Sequence, residues 1–277
     1  MISSVTRRWP VWLRNRWGGA VVFAILYLTV YTVWAFFHAG HSPLDDLIQD
    51  SAFLPLGLFA ALAAWRRVAT NLTLSRYLRR AWFFLGLSCL ALFLGDLIYL
   101  IIEEFLALPA DTYNYFDAFY LAFYPLVVIG LMLLPVAPLS AEGRWRYLVD
   151  LGAVTTTAAM AIWFFVIVPA ASLTRTNDWV TQALVAAFPI GDVVALAGIS
   201  ALLLRRPAPA TRSALWFFSL GLLGFVSFDL LNALDSLSNR DPNSWAHVLW
   251  LAAYFFFALA ALRQPNLQSA PLSEKWS

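Results

Sequence analysis

Residues 81–101 read AWFFLGLSCLALFLGDLIYLI, and residues 214–234 read ALWFFSLGLLGFVSFDLLNAL. Either stretch is long enough to cross the hydrocarbon of a bilayer, which takes about 20 apolar residues as an α-helix. Each carries one charge, Asp96 or Asp229, at the same place, so the two also share a pattern. At that alignment Tyr99 falls on Asn232 and Glu103 on Ser236. Working outward, Pro55 and Gly57 fall on Pro189 and Gly191, while Tyr120, Tyr124 and Pro135 fall on Trp250, Tyr254 and Pro265. An ordered series of matches at nearly one spacing is the mark of an internal repeat.

Comparable apolar runs lie at 18–37, 51–65, 81–102, 116–136, 147–169, 179–204, 213–234 and 245–262, which predicts eight membrane helices. The second run is short, and a buried or re-entrant segment there would leave seven spans. Composition agrees with a bilayer protein: 61% of the 277 residues are hydrophobic and 12% are charged, about half the charged share of a soluble domain. The lone Cys89 excludes an intramolecular disulfide.

Charge placement separates the two counts. Of the 18 Lys and Arg residues, all but Arg175 and Arg240 lie before the first run or after the second, fourth, sixth and eighth. Basic loops stay in the cytoplasm, so eight spans with both termini cytoplasmic satisfy the rule, whereas seven would put basic loops on both sides. The opposite loops are acidic, with Asp45, Asp46, Asp50, Glu103, Glu104, Asp111, Asp178, Asp235 and Asp241. The expected fold is all-α, a polytopic cell-membrane protein whose eight transmembrane helices form two parallel four-helix repeats. A basic N-terminus spans 1–17, the first repeat 18–136, a cytoplasmic linker 137–146, the second repeat 147–262 and a cytoplasmic tail 263–277. An even number of spans per repeat relates the halves by an axis along the membrane normal.

An ionisable side chain within hydrocarbon costs at least about 2.5–3.5 kcal/mol, which makes Asp96, Asp192 and Asp229 the leading candidates for function. On a helix, Asp96, Tyr99 and Glu103 share one face, and Asp229, Asn232 and Ser236 repeat that spacing. Both stripes run toward the outer surface, so an outward-facing polar pocket between the repeats is expected, with Tyr120, Tyr124 and Trp250 as its apolar walls. The plainer alternative is that each Asp bonds a neighbouring helix and fixes packing. Matched Pro and Gly residues in the second and sixth helices predict interruptions near the pseudo-axis, although only the sixth adds a carboxylate, Asp192, where Leu58 is the counterpart. His38, His41 and His247 with Asp45 or Asp117 have the chemistry of zinc ligands. Nothing in the spacing joins the first and eighth helices, so no metal is assigned, and Asp117 counts instead among the pocket residues.

Signatures of soluble catalysis are missing. The chain has no G-x-x-x-x-G-K-[ST] loop, no H-E-x-x-H helix and no G-x-S-x-G elbow. The expectation is a non-enzymatic protein with no assigned cofactor, whose first partner is the lipid bilayer and which has no basic domain for nucleic acid.

Asp117, Phe119, Tyr120, Leu121, Phe123, Tyr124, Pro125, Leu126 and Gly130 spell D-x-F-Y-L-x-F-Y-P-L-x-x-x-G. With Leu94, Gly95, Asp96 and Leu97 before it and Pro189, Gly191 and Asp192 after it, this resembles the multi-helix membrane region found ahead of GGDEF, EAL or histidine-kinase domains in bacterial signalling proteins. The likeness covers roughly helices two to eight and departs at Phe188, where a Tyr is expected. It implies a region that senses a signal and passes it to a cytoplasmic signalling partner. No output domain accompanies it here, so a stand-alone module, a fragment, or a relative with a separate partner polypeptide is implied. A secondary transporter using its intramembrane Asp residues and a structural subunit of a membrane complex are the alternatives.

Overall fold

The computed structural model describes residues 16–37, 42–70, 75–108, 115–134, 140–168, 179–204, 209–237 and 245–264. Every regular element among them is a helix: α1 (Arg16–Phe37), α2 (Pro43–Ser51), α3 (Phe53–Thr70), α4 (Arg76–Leu100), α5 (Asp117–Met132), α6 (Ala141–Ile162), α7 (Trp179–Leu204), α8 (Pro209–Leu237) and α9 (His247–Arg263). A π-helical turn, Ile101–Phe105, continues α4, and another, Trp163–Ile167, continues α6. Six helical stretches are long and apolar enough to cross a membrane, with Asp117–Met132 and His247–Arg263 as two shorter apolar helices. The protein is thus all-α with the character of a multi-pass membrane protein.

The second span is longer than its apolar run. Pro43–Arg66 forms a stretch of 24 residues, because α2 precedes α3 almost without a gap. Ser42 caps α2: its Oγ accepts the Asp45 N–H at 3.2 Å, and Pro43 takes the first helical position, where a missing N–H costs nothing. The interruption at Ala52 follows from Pro55, which has no N–H to offer the carbonyl four residues back. Here α1 supplies a tie, since the Tyr27 hydroxyl donates to the Ala52 carbonyl at 2.9 Å. Tyr27→Phe is expected to lower stability by about 0.5–1.5 kcal/mol, read as a lower midpoint of thermal unfolding in detergent; an unchanged midpoint would show that the tie contributes nothing.

Two central helices are shorter than the sequence suggests. At 1.5 Å per residue, α5 with 16 residues and α9 with 17 are about 24–26 Å long, against a hydrocarbon thickness of about 30 Å. Both stop short of a proline. Leu134 leaves the helix ahead of Pro135, and Gln264 turns extended (ψ 114°) ahead of Pro265, as the residue before proline disfavours helical backbone.

α9 packs against α8 and α3 and also meets α1 and α4, while α5 packs between α4 and α7. Trp250, Leu251, Tyr254, Phe257, Ala258 and Ala261 are all buried on α9, as befits a helix that is apolar all round. Small residues make this closeness possible: Ala60, Ala61, Ala63 and Ala64 on α3 and Ala258, Ala260 and Ala261 on α9 are buried. In lipid, where no hydrophobic force draws helices together, such close contact drives association. α6 is the opposite case. None of its apolar window is buried, and Trp145, Met160, Trp163 and Phe164, on this helix and its π turn, point outward from the bundle.

Candidate functional site

The buried carboxylates sit in two clusters, each assembled from several helices. In the first, Asp96 of α4 is 4% exposed. Its Oδ1 accepts the Tyr120 hydroxyl of α5 at 2.8 Å, and its Oδ2 accepts the Tyr254 hydroxyl of α9 at 2.6 Å. Each oxygen therefore has its own donor, as a carboxylate in hydrocarbon requires. The Trp250 indole N–H is buried beside this carboxylate without reaching hydrogen-bond geometry.

In the second cluster, the Tyr124 hydroxyl of α5 lies 2.9 Å from Asp192 Oδ1 of α7 and 3.3 Å from Asp229 Oδ2 of α8. The two carboxyl groups are also within hydrogen-bonding reach of each other. Asp192 is buried and Asp229 half-buried. Tyr120 and Tyr124 stand one helical turn apart on α5 and serve different clusters.

Three glycines let the tyrosines in. A Cβ on Gly95 would lie 2.4 Å from Tyr120 Cε1, one on Gly191 2.5 Å from Tyr124 Cδ2, and one on Gly57 3.2 Å from Tyr254 Cζ. The first two separations are far inside the roughly 3.5–4.0 Å of carbon contact. Aromatic packing fills the remainder. Trp250 lies edge-on to Tyr120 at 5.7 Å between ring centroids and 4.8 Å from Phe228.

The expected pocket residues are brought together in part. Asp96, Tyr120 and Trp250 meet, and Tyr124, Asp192 and Asp229 meet separately. The tyrosines are hydrogen-bond donors to the carboxylates, not only apolar walls. Tyr99 is half-buried with its ring edge-on to Phe116 at 5.1 Å, in line with the first cluster through Phe116 and Tyr120. Asp117 stands half-buried in the first turn of α5, outside the hydrogen bonds of either cluster. Asn232 is exposed on α8, so the expected stripe with Asp229 does not face inward as a unit. Of the two proline helices only one is interrupted: α7 runs unbroken through Pro189, whereas the second span breaks at Ala52, three residues ahead of Pro55.

Tyr254, which completes the first cluster, is not among the expected pocket residues, although the sequence alignment of 214–234 with 81–101 and its flanks sets it against Tyr124. Among the described residues no group of three or more His, Cys, Asp or Glu side chains can hold a metal ion. His38 and His41 lie outside the described residues, as do Asp111, Asp178 and Asp241. His247 is buried with its ring 5.6 Å from Phe53 and 5.2 Å from Phe228, and α1 does pack on α9. No protein-family profile, curated protein or solved structure matches this chain.

Proposed function

We propose that the chain is a membrane sensor module of two parallel four-helix repeats, with both termini in the cytoplasm, that signals to a cytoplasmic partner. One observation carries this reading. Asp96 of the first half is held by Tyr254 of the second, and Asp229 of the second half is held by Tyr124 of the first. Under the repeat alignment these are the same contact made in both directions, as a two-fold axis between the halves requires. Gly57 beside Tyr254 and Gly191 beside Tyr124 follow the same rule. The near absence of basic residues from alternate loops supports the orientation.

The clusters therefore act as reciprocal clasps between the halves. A signal that binds, or changes a proton, at either clasp favours one packing of the halves over another, and it shifts the balance only by that difference in affinity. α9 carries Tyr254 and ends at Arg263 on the side assigned to the cytoplasm, so it transmits the change. The likeness to membrane regions that precede bacterial output domains is in keeping with this role.

A direct test uses spin labels at Met132→Cys and Arg263→Cys, both exposed helix ends, with the native Cys89 replaced by Ala. Pulsed electron resonance is expected to give a different distance distribution in Asp96→Asn and Tyr254→Phe from that of the parent. Identical distributions in all three would sink the clasp reading. A second reading, a secondary transporter, is favoured by the paired Asp192 and Asp229, since adjacent carboxyls suit a coupling proton. Proton-driven uptake into proteoliposomes that is abolished by Asp229→Asn is its expected signature.

A further inference from the structure

The two clusters differ in their supply of hydrogens. Around Asp96, two carboxylate oxygens meet two tyrosine hydroxyls, each with one hydrogen to give. Around Tyr124, a single hydroxyl hydrogen faces one oxygen from each of two carboxyls, which also face each other. A tyrosine hydroxyl donates one hydrogen and accepts others, and an ionised carboxylate only accepts. With both carboxyls ionised, two acceptors would share one hydrogen, and two negative charges would stand side by side within the bundle.

We infer that Tyr124, Asp192 and Asp229 form a binding site for one proton, shared between the two carboxyls and oriented by the hydroxyl. This names the signal at one clasp and rests on the sensor reading above only for its consequence. With the proton bound, one carboxyl donates, the other accepts, and Tyr124 completes the network. Without it, like charges push α7 and α8 apart at the point where α5 joins them. The bookkeeping is closed: one proton enters, one carboxylate becomes a carboxylic acid, and no other group is consumed.

Among the described residues, no cation on the surrounding helices lies near enough to take the proton's place. Among the described residues, the ionisable groups nearest along those helices are Asp235 on α8, six residues from Asp229, Asp117 and Tyr120 on α5, Asp96 on α4, Tyr147 and Asp150 on α6, and His247 and Tyr254 on α9; Asp96, Tyr120 and Tyr254 are engaged with one another. The arginines of the packed helices sit at the far ends: Arg212 is 17 residues from Asp229 along α8, about 26 Å, and Arg80 is 16 residues from Asp96 along α4, about 24 Å. The π turn Trp163–Ile167, which touches α7 and α8, contributes no ionisable side chain.

Infrared difference spectroscopy of the protein in lipid, titrated with acid and base, reads the site. The expected result is one protonated-carboxyl C=O band that shifts in D2O, disappears on raising pH, is absent from Asp192→Asn and Asp229→Asn, and persists in Asp96→Asn. Tyr124→Phe keeps both carboxyls and their mutual contact, so the band persists there at a moved frequency. It serves as the decisive variant if either Asn variant fails to fold. A band unaffected by Asp192→Asn and Asp229→Asn, a band lost in Tyr124→Phe, or no band at any pH at which the protein is folded overturns the proposal. Spin-label distances between residues 132 and 263 measured on the same samples separate the two claims. The band without a change in distance leaves the proton site standing and removes the sensor reading; a change in distance without the band does the reverse.

Discussion

Trp250→Ala is expected to lower the stability of the bundle by about 3–5 kcal/mol, the cost of deleting a large aromatic side chain from a packed interior. The residue is 7% exposed and reaches four rings on three other helices, α3, α5 and α8. Its centroid distances are 4.9 Å to Phe225, 4.8 Å to Phe228, 5.7 Å to Tyr120 and 6.2 Å to Phe53. Removing it opens space beside both Asp96 donors, so the Tyr120 and Tyr254 hydroxyls lose the wall that aims them. Trp250→Phe is expected to be much milder, because the indole N–H makes no hydrogen bond and the ring contacts largely survive. Trp163→Ala, 55% exposed on the π turn after α6, stays within about 0.5 kcal/mol. Unfolding of the three variants in one detergent orders them; equal losses for Trp250→Ala and Trp163→Ala would refute the central role of α9.

The second large effect comes from adding a single methyl group. Gly191→Ala puts a carbon 2.5 Å from Tyr124 Cδ2 and 2.6 Å from its Cγ, close to the stem of the side chain, where a small rotation gives no relief. Either the ring leaves, taking its hydroxyl from Asp192 and Asp229, or α5 and α7 separate. Overpacking of this kind costs about 1–3 kcal/mol, and a buried carboxyl robbed of its donor adds about 1–3 kcal/mol. Gly95→Ala faces the same choice at Tyr120. Gly152→Ala on α6 is the control: nothing lies within 4 Å of the new carbon, and a helical Gly→Ala change without a clash is favourable by up to about 1 kcal/mol. A stability for Gly191→Ala or Gly95→Ala equal to that of Gly152→Ala would mean that the tyrosine rings are free to move.

Much of the site was legible before any coordinates. Asp96, Asp192 and Asp229 stand out because charge inside a long apolar run is costly, and that cost is written in composition. Their partners are harder to read. Tyr254 and Asp96 are 158 residues apart, and helical periodicity says which face a residue is on, not which helix lies across from it. The proposed repeat would supply the missing information, since it pairs Tyr254 and Asp96 as it pairs Tyr124 and Asp229. Asn232 does not share the inward face of Asp229 for a geometric reason. Three residues along a helix is about 60° short of a full turn, enough on α8 to turn a side chain from the bundle interior to its surface. The second span looked too short because its apolar run starts at Ser51, whereas the backbone continues through the acidic α2, which buries none of its own residues.

The placement of α9 also sets a clock on biosynthesis. It is the last helix described, yet it covers α3 and α8 and brings Asp96 its second donor. Ribosomes add about 5–20 residues per second, so the 158 residues between Asp96 and Tyr254 take roughly 8–30 s to make. For most of that interval α4 lies in the membrane with its carboxyl half-served, and α3 waits with its alanine-lined face uncovered. A nascent chain in this condition needs a temporary companion, whether water in the insertion channel, a lipid headgroup or another helix, until its final span arrives.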